Sequence, residues 1–315
     1  MARLIFSRAA PVKPVFGNVK MKSGISGGDR VYYSVVHITI SILTLLVLYP
    51  MIYIVSSSFS AAHAVTSGKI WLLPVDATLF NFEMVLQYKS VWLGYRNTIF
   101  YTVVGTAINV TMTLVCAYPL SRKGFIGRGF FTFIFTFTMI FSGGMIPSYL
   151  LLRNLKLLNT VWAMLLPGAI SVYNMIVTRT FFQSSIPGEL LEASKLDGCS
   201  DAQYFIRVLL PLSSSIIAVI ALFYAVGHWN AYFNAFLYLS KKELFPLQLF
   251  LREILIQNTF SSEIITDPEI ASQLLGLQDT LKFAIIVLST APLMCLYPFA
   301  QKHFVKGIMI GSLKE

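Results

Sequence analysis

Six stretches of this chain are so long and so apolar that lipid has to be their solvent: roughly 31–57, 95–120, 129–151, 160–182, 213–237 and 280–300. A helix covers the hydrocarbon core with about 20 mostly apolar residues, so each stretch is long enough to cross it. Each must also be helical, since lipid offers no partner for bare backbone N–H and C=O groups. The expectation is an all-α polytopic membrane protein with six transmembrane helices. Pro50, Pro147, Pro167, Pro292 and Pro298 lie in these runs, and proline in a membrane helix predicts a kink. Composition agrees: the chain is 56% apolar and 12% charged, with mean hydropathy +0.70, where a soluble domain has about 25% charged residues. Charge this sparse cannot coat a water-soluble globule.

The net charge of +10 is read as membrane topology rather than as a nucleic-acid surface, because Lys and Arg gather on the cytoplasmic flanks of spans. With six spans, both termini share a side with the 2–3 and 4–5 connections. That side holds Arg3, Arg8, Lys13, Lys20, Lys22, Arg30, Arg122, Lys123, Arg128, Arg179, Lys195, Arg207, Lys302, Lys306 and Lys314, 15 of the 24 basic residues. Both termini are therefore expected in the cytoplasm, with residues 1–30 as an N-terminal cytoplasmic segment. The first apolar run, about 25 residues, exceeds the about 7–15 of a signal peptide's apolar region, so it reads as a retained anchor.

Catalytic chemistry finds little footing. No G-x-x-x-x-G-K-[ST] loop is present to cradle ATP phosphates, and no H-E-x-x-H to hold zinc. His37, His63, His228 and His303 are scattered, and Cys116, Cys199 and Cys295 show neither metal-ligand nor disulfide-framework spacing. A Ser142–His228 hydrolase pair across facing spans is conceivable, but the polar neighbours of His228 suggest a solute path more readily. No catalytic residue and no metal site is expected.

One charged segment sits between two oily runs: "ELLEASKLDGCSDAQYFIRVLLPL", residues 189–212. Pro187 suits a helix start, and Glu189 in the first turn suits the positive end of the dipole. Asp197-Gly198 breaks that helix. Ser200 with Gln203 three residues on has the spacing of a capping box, and Pro211 ends the second helix. The segment is thus helix, glycine elbow, helix, facing the cytoplasm. Spacing alone fits an ordinary connector as well as a docking element.

On the fifth span, His228, Asn230 and Asn234 lie among Trp229, Tyr232 and Phe233. Two readings stand: helix-packing hydrogen bonds, or a lining that stacks aromatic rings on sugars and meets hydroxyls with amides. Beyond this span, Pro246, Asp267, Pro268 and Leu274 suggest that the outer loop of about residues 239–279 folds back.

"EASKLDG", followed after twelve residues by a proline, resembles the EAA motif of the membrane subunits of ABC importers, with Ser194 at the usual second Ala. "FSGGMIPSYLLLRNL" (141–155), "VGHWNAYFNAF" (226–236) and "QKHFVKGIMIGSLK" (301–314) resemble the maltose-type carbohydrate permeases, in the branch serving complex oligosaccharides. The resemblance implies the type I ABC importer permease fold over 31–315, with a cytoplasmic coupling loop at about 183–212. It implies that Glu189, Glu192, Ala193, Ser194, Asp197, Gly198, Phe205 and Pro211 form the ATPase-coupling surface. It makes His228, Trp229, Asn230 and Asn234 candidates for the substrate path. The implied partners are a second, related permease subunit, two ATPase subunits that carry ATP and Mg²⁺, and an extracytoplasmic solute-binding protein. The setting would be a bacterial inner or plasma membrane, and the cargo an oligosaccharide moving inward. Alternatives are an ABC permease for a polyamine or amino acid, which the "GHWN" stretch and the tail argue against. An ion-coupled carrier is a further alternative, disfavoured because no carboxylate lies within a span.

Overall fold

The computed structural model describes residues 27–257 and 280–295. The tail stretch 301–314, the first 26 residues and residues 258–279 of the outer loop lie outside the described residues. Among the described residues there is no strand. The chain divides between Ile52 and Tyr53 into two units.

The first unit holds most of α1, Gly27–Ser58, which has Asp29 in its first turn, where the helix dipole favours it, and Pro50 inside it. Val31, Ile38, Leu45 and Leu46 are all more than half exposed, as expected of a helix whose solvent is lipid. The last turn of α1 belongs to the second unit and is buried through its serines. Ser56 donates to the Leu72 carbonyl at 2.6 Å. Asn81 Nδ2 donates to the carbonyls of Ser58 and Ser60 at 3.1 and 2.9 Å.

In the second unit, α2 (Ala62–Thr66) and α3 (Phe80–Gln87) lead into α4, Lys89–Ser121. This 33-residue helix is the axis on which α3, α5, α7, α8, α12 and α14 pack. Its buried positions include Val91, Gly94, Thr98, Tyr101, Gly105, Asn109, Thr113, Ala117 and Leu120, three or four apart and mostly small or polar, with Asn97, Leu114 and Ser121 buried beside them. Ile99, Phe100, Val103, Met112 and Val115 point outwards. Membrane helices associate through close backbone approach and hydrogen bonds, because lipid tails are as apolar as leucine. Small and polar residues therefore go inside, and large apolar ones face the tails.

The remaining elements follow as α5 (Arg128–Ile140), α6 (Met145–Asn154), α7 (Trp162–Leu165), α8 (Val172–Ser184), α9 (Glu189–Leu196), α10 (Asp201–Tyr204) and α11 (Leu210–Leu212). After them come α12 (Ser214–Trp229), α13 (Phe233–Tyr238), α14 (Leu247–Gln257) and α15 (Thr280–Cys295). Only α1 and α4 are continuous helices long and apolar enough to cross a bilayer, among the described residues. The expected third run, 129–151, is two helices bent by 113° between α5 and α6. The break falls at Phe141–Gly144, where Gly144 has φ 84°. The fourth run is interrupted at Pro167-Gly168, Gly168 having φ 73°. Apolarity reports the solvent of a segment, but glycines and prolines decide whether its backbone stays helical.

Of the expected outer loop, residues 243–247 lie against the first half of α4. Asn97 Nδ2 donates to the carbonyls of Glu243 and Phe245 at 2.7 and 3.0 Å. Tyr101 Oη donates to the Leu244 carbonyl at 2.9 Å, and the Leu247 amide donates to Thr98 Oγ1 at 2.8 Å.

Candidate coupling loop and solute path

The charged loop is built from local rules. α9 carries Glu189 and Glu192 in its first turn and Lys195 in its last, complementing the dipole at both ends. It ends in a Schellman turn: the Gly198 amide donates to the Lys195 carbonyl at 3.1 Å and the Cys199 amide to the Ser194 carbonyl at 2.9 Å. That turn needs a left-handed residue, and Gly198 supplies it with φ 77°. The capping box then starts α10. The Ser200 amide donates to Gln203 Oε1 at 2.9 Å, and the Gln203 amide to Ser200 Oγ at 3.3 Å.

Phe205–Leu209 winds as a π-helix, which periodicity did not suggest. Pro211 lacks an N–H, and its ring crowds the carbonyl four residues back. A wider turn just before it accommodates that defect. The whole segment Asp201–Leu212 meets α12 at 81°, turning at Ser213, whose Oγ donates to the Leu209 carbonyl at 2.7 Å.

Burial sorts the expected coupling residues. Glu189, Glu192, Ala193, Asp197, Gly198 and Pro211 are exposed, with Leu190 and Leu196, the latter 89% exposed. Ser194 is half-buried and donates to the Leu190 carbonyl at 2.7 Å. Phe205 is half-buried and turned to the chain's own core, with Leu191 beside it in the same cluster; its ring lies 5.1 Å from that of Tyr118 on α4. Tyr204, 1% exposed, is the buried anchor of the loop. Sequence reasoning reads Tyr204, with Phe205, Val208 and Leu209, as the apolar face of the second helix, but does not single out Tyr118 as what that face meets.

The four residues on the fifth run do not share one face. His228 Nε2 lies 3.2 Å from Asn109 Oδ1 on α4, and Trp229, 5% exposed, donates its indole N–H to the Ser289 carbonyl at 2.9 Å on α15. Both are thus engaged with neighbouring helices. Asn230 ends α12, exposed, with Nδ2 donating to the Val226 carbonyl at 3.0 Å. Asn234 is half-buried on α13. A helix break at Ala231–Tyr232 separates Asn234 from the other three. Nearby, Tyr224 bridges two elements: its hydroxyl meets Thr113 Oγ1 at 2.6 Å and accepts from the Ser171 amide at 3.0 Å.

A groove of about 480 Å³ runs between α4 and α12, lined by Thr102, Thr106, Val110, Ala221 and Ala225 among others. Its walls are small and apolar, which suits a packed helix better than a hydrated sugar. Among the described residues, no group of three or more His, Cys, Asp or Glu side chains is placed to hold a metal.

Residues 91–310 match the model of the family described as "binding-protein-dependent transport system inner membrane component". The polygalacturonan/rhamnogalacturonan transport system permease protein YtcP of Bacillus subtilis (strain 168) is 39% identical over 286 residues, covering 91% of this chain and 99% of that protein. Protein LplC of the same organism is 40% identical over 265 residues, 84% of this chain and 88% of its own. A solved bacterial ABC transporter involved in the import of the acidic polysaccharide alginate has a chain that superposes with a TM-score of 0.80 at 38% identity. That match covers 89% of this chain and 98% of the other. The chain therefore belongs to the inner membrane components of binding-protein-dependent transport systems: it is a permease subunit of an ABC importer, a membrane component and not itself an enzyme.

Proposed function

We propose that this subunit carries an acidic oligosaccharide into the cytoplasm by alternating access, paired with a second, related permease subunit. Two ATPase subunits, which take the ATP and Mg²⁺, and an extracytoplasmic solute-binding protein complete the importer. The observation that carries the cargo class is the agreement of two relatives at 38–39% identity, one named for polygalacturonan and rhamnogalacturonan and one for alginate. All three polymers contain uronate sugars, whereas a relative named for neutral arabinooligosaccharides is only 23% identical. The exposed face of α9, with Glu189, Glu192 and Asp197 around Leu190 and Leu196, is the surface offered to the ATPase. The apolar groove between α4 and α12 is offered to the related permease.

Asn230 and Asn234 flank the break between α12 and α13, where side-chain amides can meet sugar hydroxyls. His228 and Trp229 hold that break in place through Asn109 and Ser289. An unmet hydroxyl in a desolvated path costs roughly 1–3 kcal/mol. Labelled oligogalacturonides should therefore enter proteoliposomes containing the complete importer and its binding protein. Asn230→Ala and Asn234→Ala should each lower the apparent affinity of that uptake by about tenfold, as about 1.4 kcal/mol implies. Uptake of neutral oligosaccharides with oligogalacturonides ignored would overturn the cargo class. Wild-type uptake in both variants would reduce the two amides to packing groups.

The basic-residue asymmetry supports six crossings with both termini in the cytoplasm. In a background without native cysteines, single cysteines at Lys69 and Lys242 are expected to react with impermeant thiol reagents added to intact cells. A cysteine at Lys123 is expected to stay unlabelled until the cells are opened. Labelling at Lys123 from outside refutes the orientation.

A further inference from the structure

We propose that Arg122 is the positioning residue through which the charged loop moves α4, by a guanidinium held between one aromatic ring from each. This rests on the reading of that loop as the ATPase-coupling element. Arg122 directly follows α4. Its guanidinium carbon lies 4.8 Å from the ring centre of Tyr118, one turn back on α4. It lies 5.1 Å from the ring centre of Tyr204, the last residue of α10. The two rings are 6.4 Å apart and tilted by 31°. A delocalised, planar, weakly hydrated cation stacks on aromatic faces in a way that a compact, strongly hydrated ammonium does not.

The contact has an unusual electrostatic setting. Nε and Nη2 of Arg122, the edge that would take a carboxylate in a two-point pairing, are buried with no hydrogen-bond acceptor, and so is the hydroxyl of Tyr204. The two ring faces therefore lie against that edge, with the Asp201 carboxylate acting on the same Tyr118.

Its two sides lead to different parts of the molecule. On the loop side, Tyr204 closes the short helix that the Ser200–Gln203 box begins, two residues after the Gly198 turn and α9. The π-helix follows at once. A cavity of about 150 Å³ lined by Val115, Tyr118, Asp201, Ala202 and Phe205 lies between loop and helix, leaving room for relative movement. On the other side, Ser121 Oγ donates to the Tyr118 carbonyl at 2.6 Å, and Gln183 Nε2 on α8 donates to the Ser121 carbonyl at 3.2 Å. The end of α4 is therefore tied to α8, and α4 carries the packing of α12. A displacement of α9 by the ATPase reaches the solute path by this route.

The test uses the complete importer in proteoliposomes, with ATP hydrolysis and oligogalacturonide uptake measured on the same samples. Arg122→Lys keeps the charge and loses the plane. It should leave hydrolysis without binding protein within about twofold of wild type and lower the solute moved per ATP by about tenfold, inside the usual range of coupling between sites. Tyr204→Phe keeps the ring and loses only an unpartnered hydroxyl, so it should couple like wild type. Tyr204→Leu should behave like Arg122→Lys. A role in folding alone would lower both rates together with the amount of assembled complex, leaving solute per ATP unchanged. Wild-type solute per ATP in Arg122→Lys, or equal damage from Tyr204→Phe and Tyr204→Leu, overturns the proposal. Should Arg122→Lys fail to assemble, the Tyr204 pair decides in the same way. Gly198→Val separates the two levels: if it uncouples while Arg122→Lys does not, only the Arg122 joint has failed. If neither uncouples, the reading of the loop itself has failed.

Discussion

Gly198→Val should leave the assembled importer hydrolysing ATP while solute uptake per ATP falls by about tenfold. The turn after α9 holds Gly198 at φ 77°, a region that costs an L-residue about 1–2 kcal/mol, and a β-branched side chain fares worst there. A Cβ at this position meets nothing within 4 Å, so the penalty is one of backbone conformation rather than of clash. That strain shifts the turn's population by a factor of about 5–30, and with it the angle between α9 and α10. Gly198→Asp should act in the same direction more mildly, because Asp visits left-handed backbone more readily. Glu192→Ala removes one exposed carboxylate, whose surface pairing is worth about 0–1 kcal/mol, and should change coupling least. The ranking is checked by uptake and hydrolysis in proteoliposomes. A Gly198→Val importer that couples like wild type would leave the loop a mere connector.

The second large effect is structural. Gly94→Val should strip α14 from α4 and lower the Tm of the purified complex by about 10 °C. A Cβ on Gly94 would stand 2.9 Å from the Leu247 Cα and 2.9 Å from Phe250 Cδ2. The first is backbone and cannot rotate away. Overpacking of this kind costs about 1–3 kcal/mol. Pushing α14 outwards also strains the bonds from the Leu247 amide to Thr98 and from Asn97 to Phe245, and a buried polar group left unpaired adds about 1–3 kcal/mol. One kcal/mol moves Tm by about 2–4 °C in domains of about 150–250 residues, and the lower end of that slope, taken for a chain of 315 residues, sets the expected shift. Gly94→Ala, whose Cβ already meets that backbone, is matched by the control Gly188→Ala. The control's Cβ meets nothing within 4 Å and its φ is ordinary, so its Tm should stay at the wild-type value. Equal Tm for Gly94→Val and wild type would refute the packing account.

The Gly105 contact shows why burial alone does not rank such positions. A Cβ there would come 2.5 Å from Cε1 of His228. That neighbour is the far end of a side chain and can turn, at the expense of its contact with Asn109. The same glycine-to-valine exchange is therefore milder where a ring yields than where backbone does not.

What was legible in the sequence is what neighbours in the chain decide between them. Apolar runs declared lipid as the solvent and helix as the only backbone able to live in it. The capping box at Ser200–Gln203 and the elbow at Gly198 are interactions over three to five residues, so the letters alone carried them. Which helix faces which is another matter. The stripe Gly94, Thr98, Gly105, Asn109 and Thr113 could have faced any partner, and only the fold shows Leu247, His228 and Tyr224 filling it. His228 and Trp229 were open to two readings, helix packing or a sugar lining, and only the fold shows the helix neighbour, far away in sequence, that each one meets. Phe205 turned inward, and Arg122 found Tyr204 across more than eighty residues. Contacts at that separation depend on how helices pack, and in a membrane small residues permit close packing without specifying its partner. Local chemistry thus fixed the solvent and the turns, whereas where the apolar runs break and which helices pair were left to the fold, because pairing is set by shape and hydrogen-bond geometry between segments that no local pattern connects.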